Sequence, residues 1–425
     1  MQLPEEFLQE TRKTMGDDRF ERYLKAFDEE PPVSIRLNPG KLESGAGSLC
    51  TPRKWEVESG EPVPWCQEGY YLPRRPNFTM DPLLHAGCYY VQEAASMFLD
   101  EVLRQITQKG RFLLCTALDL CAAPGGKSTL LRSALPEDCV LYSNEPIRQR
   151  ASILLENVTK WGYANHIVTN NYPRDYRASK LCFDVILCDV PCSGEGMFRK
   201  DEATIREWSP QNVEKCWQLQ REIVADAWEC LKPGGLLIYS TCTFNTKENE
   251  ENVRWILENY DAEVLPIDVK PEWNITGSLL PGFDQPVYRF IPGITRSEGL
   301  FVCAIRKKGE PTASKKKGST ERLKILTSDF RPQTSDLKHQ TSGLKHQPSD
   351  IQTELDYQQA IAYLRGEALV LPADTPRGIV EVTFMGHPLG PAKNIGTRAN
   401  NLYPKEWRIK TTHIPNDYEA ILRHT

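Results

Sequence analysis

Two cysteines and an aspartate directly follow apolar runs that have the length of a buried strand. Residues 183–188 lead into Asp189 and then Cys192, and residues 236–240 lead into Cys242. In open α/β sheets ligands bind at the carboxyl ends of the strands. A cysteine at such a position could attack a bound ligand, because its thiolate is a strong nucleophile. The spacing does not decide which thiol attacks. One strand-end cysteine is more often a buried core residue, but two of them beside a carboxylate favour a shared reactive pocket.

Another apolar run, residues 113–120, ends in a turn of small residues that leads into a helix. The turn consists of Cys121, Ala122, Ala123, Pro124, Gly125, Gly126 and Lys127. Small side chains let a ligand approach the backbone, and the helix start offers free N–H groups to a carboxylate or phosphate. The pattern is neither Gly-x-Gly-x-x-Gly nor Gly-x-x-x-x-Gly-Lys-Ser/Thr, which argues against dehydrogenases and nucleoside triphosphatases. The alternative interpretation is a tight strand-to-helix turn that binds no ligand, which any α/β fold needs.

Glu145 follows the next apolar run, residues 140–143. An acidic residue about 20 positions beyond a glycine-rich turn is where a ribose diol is held in such folds. Carboxylates often end strands, so the position alone is weak. Its place after the turn at 121–127 favours a role in binding a cofactor.

Strand-like and helical stretches alternate through residues 81–306. Helical patterns cover 128–134, 148–161 and 210–231, between the apolar runs. This alternation predicts an α/β domain in which a parallel sheet carries helices on both faces. Residues 1–80 have a helical pattern over 3–29, followed by a segment rich in Pro and aromatic residues, and they predict a small α+β module.

The C-terminal part of the chain divides into two segments of different composition. Residues 307–352 are rich in Lys, Ser, Thr, Gln and Pro and carry a tandem repeat of seven residues, which predicts a disordered linker. Residues 353–425 regain apolar patterns, with strand-like runs at 369–371 and 378–384. We expect a small, mostly β domain there.

The composition is that of a globular protein with reduced thiols. The net charge is −5, which counts mildly against nucleic acid as a partner, although local basic pairs could still line a cleft. The thirteen cysteines include no Cys-x-x-Cys pair, so no metal site is expected. We find neither an apolar run of about 20 residues nor a signal peptide, so we expect a cytoplasmic protein without a membrane span. A monomer is the default expectation.

Three motifs together resemble a known family. Cys-Ala-Ala-Pro-Gly-Gly-Lys, Asp-x-Pro-Cys-Ser-Gly-Glu-Gly and Ser-Thr-Cys-Thr occur here in the order and spacing of the Sun-type RNA cytosine-5 methyltransferases, RsmF-like branch. Residues 86–97 and Trp208-Ser-Pro are also similar to that family, over about residues 1–306. Gly386-His-Pro-Leu-Gly and the segment from Asn401 resemble the PUA-like RNA-binding domain that ends this branch.

The resemblance implies a Rossmann-like methyltransferase fold, S-adenosylmethionine as cofactor and RNA, in particular ribosomal RNA, as substrate. It makes Cys242 the nucleophile and Cys192 the thiol that assists release, with Asp189 and Lys127 at the reacting centre. The turn from Cys121 to Lys127, together with Asp189, would hold the cofactor, and Glu145 its ribose. Family members often carry an acidic residue after the third strand, which contacts the adenine side of the cofactor. This chain lacks it, and we expect Asn171 to take its place.

Other functions remain open at this stage. The chain could be a non-catalytic RNA-binding or ribosome-assembly factor on a methyltransferase fold, or it could act on transfer RNA. An enzyme that methylates an exocyclic amine would not need two cysteines. It would typically show Asn/Asp-Pro-Pro-aromatic instead of the sequence that begins at Asp189.

Overall fold

The computed structural model describes residues 3–42, 55–108, 116–310, 318–327, 351–411 and 413–424. Its N-terminal elements are α1 (Glu5–Met15), α2 (Asp17–Lys25), β1 (Val33–Leu37), α3 (Pro39–Leu42), β2 (Trp55–Val57), β3 (Glu61–Pro62), β4 (Gly69–Leu72), α4 (Pro82–His85) and β5 (Tyr89–Val91). The helical pattern over 3–29 becomes two helices because Gly16, at φ 76°, ends α1.

The N-terminal sheet has the strand order β3-β4-β1-β5, and its pairings are antiparallel. The boundary predicted at residue 80 therefore falls inside this module, because β5 pairs with β1 through Ile35 and Val91. Helices α1 and α2 pack elsewhere through their apolar side chains. Their buried residues Phe7 and Phe20 join a cluster with Phe198 and Trp208 from the following part of the chain.

The central sheet contains the strands that carry the predicted site. The elements of this region are α5 (Phe98–Gln108), β6 (Thr116–Asp119), α6 (Gly126–Ala134), β7 (Val140–Asn144), α7 (Arg148–Trp161), β8 (His166–Thr169), α8 (Pro173–Ser179), β9 (Phe183–Asp189), α9 (Glu202–Glu207), α10 (Pro210–Cys230), β10 (Leu231–Thr241), α11 (Glu250–Asn259), β11 (Ala262–Val264), β12 (Tyr288–Phe290) and β13 (Leu300–Lys307). The strand order is β11-β13-β10-β9-β6-β7-β8, with β12 paired to β13.

Five adjacent strands, β8, β7, β6, β9 and β10, are parallel, and β13 is antiparallel to β10. Successive strand residues enter two different cores, as Ala117 and Leu118 do. One core includes residues of α5 and α6, and the other includes residues of α10 and α11. Helices thus cover both faces, and the predicted α/β, Rossmann-like architecture is confirmed.

Residues 318–327 correct part of the linker prediction. Leu326 N donates to Val168 O at 2.8 Å, Asn170 N donates to Lys324 O at 2.9 Å, and Ile325 forms an antiparallel bridge with Thr169. This segment, which we call the edge strap, covers the free side of β8, because an open sheet edge offers unpaired backbone groups. Residues 311–317 and 328–350 of the predicted linker lie outside the described residues.

The C-terminal part packs on the N-terminal module. Its elements are β14 (Gln352–Glu354), α12 (Tyr357–Leu364), β15 (Gly378–Phe384), β16 (His387–Asn394), β17 (Ala399–Asn401) and β18 (Leu422–His424). The strand order β14-β15-β16-β17 forms one sheet, while β18 pairs with β2. Residues 369–371 are not a strand, and only Leu369 makes a bridge, to Ala399. Ile35 and Ile361 lie in the same apolar cluster, so the two parts share one core.

Candidate active site at the carboxyl edge of the central sheet

Cys192 and Cys242 meet at the carboxyl ends of β9 and β10. Their sulfur atoms lie 3.1 Å apart, both are free thiols, and both are partly buried. The loops that carry them are joined through the backbone, since Gly196 N donates to Cys242 O at 2.7 Å. A side chain at Gly196 would bring a Cβ to within 2.5 Å of that carbonyl oxygen. The convergence predicted for the two thiols is therefore present in the structure.

Lys127 and Asp189 form an ion pair beside the thiols. Lys127 Nζ lies 2.8 Å from Asp189 Oδ2, and the hydroxyl of Ser240 donates to Asp189 Oδ1 at 2.7 Å. Lys127 extends from the first turn of α6, whereas Asp189 ends β9. Two strands, β9 and β10, and one helix, α6, thus bring a cation, a carboxylate and two thiols to one place.

The protonation states of these groups differ. The hydrogen bond with Cys242, followed by burial, raises the pKa of Cys192 well above its ordinary value, so Cys192 is a thiol at neutral pH. Burial lowers the pKa of Lys127, but the charge of Asp189, their hydrogen bond and the charge on Cys242 outweigh it, and the net pKa is raised. A thiolate is the attacking form of cysteine, so Cys192 in this state is a proton donor and not a nucleophile. Lys127 is a stable cation within electrostatic reach of Cys242.

The turn at 121–127 has the shape of a ligand cradle. Gly125 has a φ of 118°, which an L side chain rarely adopts, and a Cβ there would lie 3.3 Å from Leu154. Below the turn, the carboxyl group of Asp119 accepts a hydrogen bond from Ser128 at 2.6 Å, and burial raises its pKa to about 7. Within the described part of the chain, Asp119 Oδ1 lacks a hydrogen bond of normal geometry. The turn therefore fits a ligand that carries a negative and a positive group. The small residues let the ligand approach, the helix start suits its negative group, and the carboxyl group suits its positive group.

The N-terminal module supports this turn from outside. The buried guanidinium of Arg36 donates to Thr129 Oγ1 at 2.6 Å and to Gly126 O at 3.3 Å. Its Nε donates to Gln92 Oε1 at 2.8 Å. The position of the first turn of α6 therefore depends on β1 and on the residue that follows β5.

Glu145 lies where the sequence predicts a ribose contact, at the end of β7. Its carboxylate is buried and accepts a hydrogen bond from Ile147 N at 3.0 Å. Arg150, which is exposed, bridges Glu145 Oε2 at 3.3 Å and the carbonyl oxygen of Ala123 at 3.0 Å. Such an exposed arginine can move aside, which would leave a carboxylate facing the turn. A diol donates two hydrogen bonds and fits that acceptor.

Asn171 follows β8, and its side chain contacts the edge strap. Its Oδ1 accepts a hydrogen bond from Lys324 N at 2.9 Å, and its Nδ2 donates to Lys324 O at 3.3 Å. The side-chain amide thus anchors the edge strap, which the sequence did not predict to be ordered. Its predicted contact with the cofactor stays a prediction.

Sequence reasoning missed a buried carboxylate behind the thiols. Glu248 accepts hydrogen bonds from Ser193 N at 3.0 Å and from Gln220 Nε2 at 2.7 Å. The run Asn245-Thr-Lys-Glu-Asn-Glu is typical of an exposed helix start, and its charges hide the burial. A usable signal was the polar residue Asn245 three positions before Glu248, which is the spacing of a capping box.

No described helix is long and apolar enough to cross a bilayer. Within the same residues there is no group of three or more His, Cys, Asp and Glu side chains that could hold a metal ion.

Three family models match successive parts of the chain. Residues 3–94 match the N-terminal domain of the 16S rRNA methyltransferase RsmF, residues 114–306 match the 16S rRNA methyltransferase RsmB/F, and residues 351–409 match the RsmF PUA domain. This chain belongs to the RsmB/F methyltransferase family, in its RsmF-like branch. The resemblance inferred from the motifs is therefore confirmed.

RsmF-like relatives match the chain over most of its length. Ribosomal RNA small subunit methyltransferase F of Pectobacterium atrosepticum is 34% identical over 318 residues, and that of Escherichia coli is 33% identical over 326 residues. Each match covers 72% of this chain and 63% of the relative, so the chain spans less than two thirds of their length.

Solved structures support the same fold. A methyltransferase homolog protein from Pyrococcus horikoshii is 26% identical with a TM-score of 0.54, and the match covers 72% of this chain and all of that protein. NSun6 from the same organism has a TM-score of 0.55 at 18% identity, covering 72% and 99% of the two chains. The second likeness concerns the fold alone.

Proposed function

We propose that this protein methylates carbon 5 of a cytosine in ribosomal RNA, with S-adenosylmethionine as methyl donor and Cys242 as nucleophile. The observation that carries the proposal is the pair of thiols, 3.1 Å apart, beside the Lys127–Asp189 ion pair. A methyltransferase acting on oxygen or on an exocyclic nitrogen needs neither thiol. The names of the RsmF relatives support ribosomal RNA over transfer RNA.

Carbon 5 of cytosine is a poor nucleophile until another atom adds to the ring. The Cys242 thiolate adds to carbon 6, a sulfur–carbon bond forms, and the displaced electron pair makes carbon 5 nucleophilic. S-adenosylmethionine supplies the methyl group when it is bound, and carbon 5 accepts that group. Solvent then takes the proton from carbon 5, the electron pair of that C–H bond restores the ring double bond, and the bond to Cys242 breaks. Cys192, held as a thiol, can give its proton to the departing sulfur.

Asp189 and Lys127 would act on the ring and on the nucleophile. Both oxygens of Asp189 are already fixed, one by Lys127 and one by Ser240, so the carboxylate is oriented before the base arrives. A hydrogen bond between this carboxyl group and the ring stabilises the adduct. Lys127 stays a cation beside the site, because the charge of Asp189 and their hydrogen bond outweigh the effect of burial on its pKa.

The cofactor would lie along the turn at 121–127. Glu145 would accept the hydroxyl groups of its ribose, and the first turn of α6 would face its methionine carboxylate. Asp119 lies beneath the same turn. Asn171, at the end of β8, would supply the remaining contact with the cofactor.

If ribosomal RNA is the substrate, the protein acts in the cytoplasm. The N-terminal module and the C-terminal part, which flank the central domain, would then bind the RNA. The target base must leave its stack to reach Cys242, which costs a few kcal/mol. The C-terminal part matches a PUA domain model, and we assign it and the N-terminal module to RNA positioning. A monomer is sufficient for this scheme.

The nucleophile is tested by Cys242→Ala. We expect complete loss of methyl transfer from labelled S-adenosylmethionine to ribosomal RNA, while cofactor binding persists, because only Cys242 makes the bond to carbon 6. Nucleoside analysis of the product by mass spectrometry identifies 5-methylcytosine. Robust activity in Cys242→Ala would refute the assignment. If unmodified protein binds RNA but never transfers a methyl group, the non-catalytic RNA-binding alternative is correct.

The release role is tested by Cys192→Ala. We expect a covalent protein–RNA adduct to accumulate, because the attacking thiol is intact while the partner that releases it is missing. A denaturing gel with labelled RNA shows the adduct as a slow-migrating band, and Cys192→Ala combined with Cys242→Ala is the control that must lack it. With a substrate that the unmodified protein methylates, absence of the band from Cys192→Ala would contradict the role.

A further inference from the structure

Glu248 lies between the two cysteine loops and is fully buried. Its carboxylate accepts three hydrogen bonds: from Ser193 N at 3.0 Å, from Gln220 Nε2 at 2.7 Å and from Asn245 Nδ2 at 2.8 Å. Bonds from three donors to one carboxylate fix its position. The reaction proposed above does not use this residue.

These bonds hold the backbone on both sides of Cys192. Ser193, which follows it, donates its N–H to Glu248. Pro191, which precedes it, accepts a hydrogen bond from Gln220 Nε2 at 2.9 Å. Gln220 comes from α10 and also contacts Glu248, so one pair of side chains sets the backbone of the Cys192 loop.

The same residue is tied to the strand that delivers Cys242. The hydroxyl of Tyr239, in β10, donates to Glu248 O at 2.6 Å. Across the two loops, the hydroxyl oxygens of Ser193 and Thr243 lie 2.9 Å apart. The carboxylate of Glu248 thus holds the Cys192 loop, while its backbone carbonyl is tied to β10, the strand that leads to Cys242.

We propose that Glu248 is a positioning residue that holds Cys192 against Cys242 and so controls the release of methylated RNA. This inference rests on the proposed function, because it assigns a support to the thiol that assists release. Glu248 does not touch the substrate and acts through Cys192.

Electrostatics supports the inference. Burial, and then the charge of Glu195, raise the pKa of Glu248 to about 7. The charge of Glu248 in turn is one of the causes that raise the pKa of Cys192, after the hydrogen bond with Cys242 and burial. Glu248 thus favours the protonated thiol that the release step requires.

The test compares Glu248→Gln with Glu258→Gln, an exposed position in α11 of the same chain. An amide at residue 248 places a donor against the donors of Ser193, Gln220 or Asn245, so the Cys192 loop shifts. We expect adduct formation in a single turnover to stay within about 3-fold, while multiple turnover falls about 100-fold, the scale of a misplacement of about 1 Å. Glu258→Gln should match unmodified protein in both measurements.

The double variant Glu248→Gln with Cys192→Ala separates positioning from a merely structural role. If Glu248 acts through Cys192, the double variant accumulates as much adduct as Cys192→Ala alone, because the two changes are not additive. Gln220→Leu, which leaves the Glu248 carboxylate in place, should also slow release and serves if Glu248→Gln does not fold.

Three results would overturn the inference: normal turnover in folded Glu248→Gln and Gln220→Leu, equal loss of adduct formation and turnover, or additive effects in the double variant. Failure of the proposed function looks different. In that case unmodified protein and Cys192→Ala both form no adduct with ribosomal RNA, and the variants at residue 248 have nothing to alter.

Discussion

The two sides of the central sheet are held in different ways. Buried carboxylates hold the loops that follow β9 and β10, whereas the edge strap holds the residues that follow β8. Glu248 fixes the Cys192 loop, and Glu250 pairs with Arg289 behind the Cys242 loop. On the other side, the edge strap 318–327 reaches Asn171 through neutral hydrogen bonds. The two thiol loops and the carboxyl end of β8 are thus supported by different interactions.

The difference bears on how easily each side opens. A buried ion that loses its partner costs several kcal/mol, so the thiol loops open only with major disruption. Neutral backbone pairing at a sheet edge, with no ion pair behind it, opens at lower cost. The strap is also continuous in sequence with the C-terminal part of the chain. We therefore expect the loops after β9 and β10 to open rarely, and the pairing between β8 and the edge strap to open more often.

The largest expected effect concerns Arg289. Its guanidinium contacts both oxygens of Glu250 and donates to Phe244 O at 2.7 Å, two residues beyond Cys242. Arg289→Met leaves the Glu250 carboxylate buried without its partner. We expect the free energy of unfolding to fall by about 3–5 kcal/mol, measured by urea denaturation.

Lys324→Met on the β8 side is the matched control for that prediction. It removes the bond from Lys324 Nζ to Asn170 Oδ1, 3.0 Å long, at an exposed site. Its expected cost is below about 0.5 kcal/mol. Similar losses in Arg289→Met and Lys324→Met would break the comparison between the two sides.

An intermediate effect concerns pH. Because burial raises the pKa of Glu248 to about 7, the folded protein keeps this proton at a pH where the unfolded chain, with a pKa of about 4.3, has lost it. The contribution of Glu248 to stability is complete below about pH 4 and is lost as the pH rises through about 7. Relative to Glu248→Gln, unmodified protein should lose up to about 1.4 kcal/mol per pH unit in that window.

Asn171→Ala supplies the corresponding measurement for the β8 side. Its amide does not titrate, so its difference in unfolding free energy from unmodified protein should stay constant over the same pH range. Denaturation at about pH 5 and pH 7 measures both differences. A pH-independent difference for Glu248→Gln would show that the carboxylate is not buried with a raised pKa.

The sequence predicts the thiol side well because strand ends follow from apolar runs. Helix α10 begins at the predicted residue 210, and β9 ends at Asp189 where the pattern places it. Residues that end neighbouring parallel strands meet at one edge, so the meeting of Cys192 and Cys242 needs no tertiary information beyond the strand order. Their order in the reaction came from the family resemblance.

The sequence predicts the supports poorly, because burial of a charged residue depends on partners far along the chain. Glu248 looks solvated until Gln220 and Ser193 are placed around it. The edge strap is hidden for another reason. The short apolar run at 323–326 lies within a stretch whose average composition is that of a linker, and its partner, the edge of β8, is about 150 residues away.

The smallest expected effect concerns Leu326 in that strap. Its side chain packs on the cluster of Ala122, Leu154, Val158 and Val168, which lies under the proposed cofactor turn. Leu326→Ala removes part of this packing, and we expect stability to fall by about 1–2 kcal/mol because the site is only partly buried. S-adenosylhomocysteine should bind about 5-fold more weakly by calorimetry, since a less rigid turn has to be ordered on binding.

Ile325→Ala is the matched control, because Ile325 is 40% exposed and only its backbone bridges to Thr169. Its affinity for S-adenosylhomocysteine should match that of unmodified protein. Hydrogen exchange at residues 168–171 should rise in Leu326→Ala and stay unchanged at residues 191–196, because the thiol loops have separate supports. If exchange rises equally in both segments, the two sides open together, and the thiol loops depend on the strap as much as the cofactor turn does.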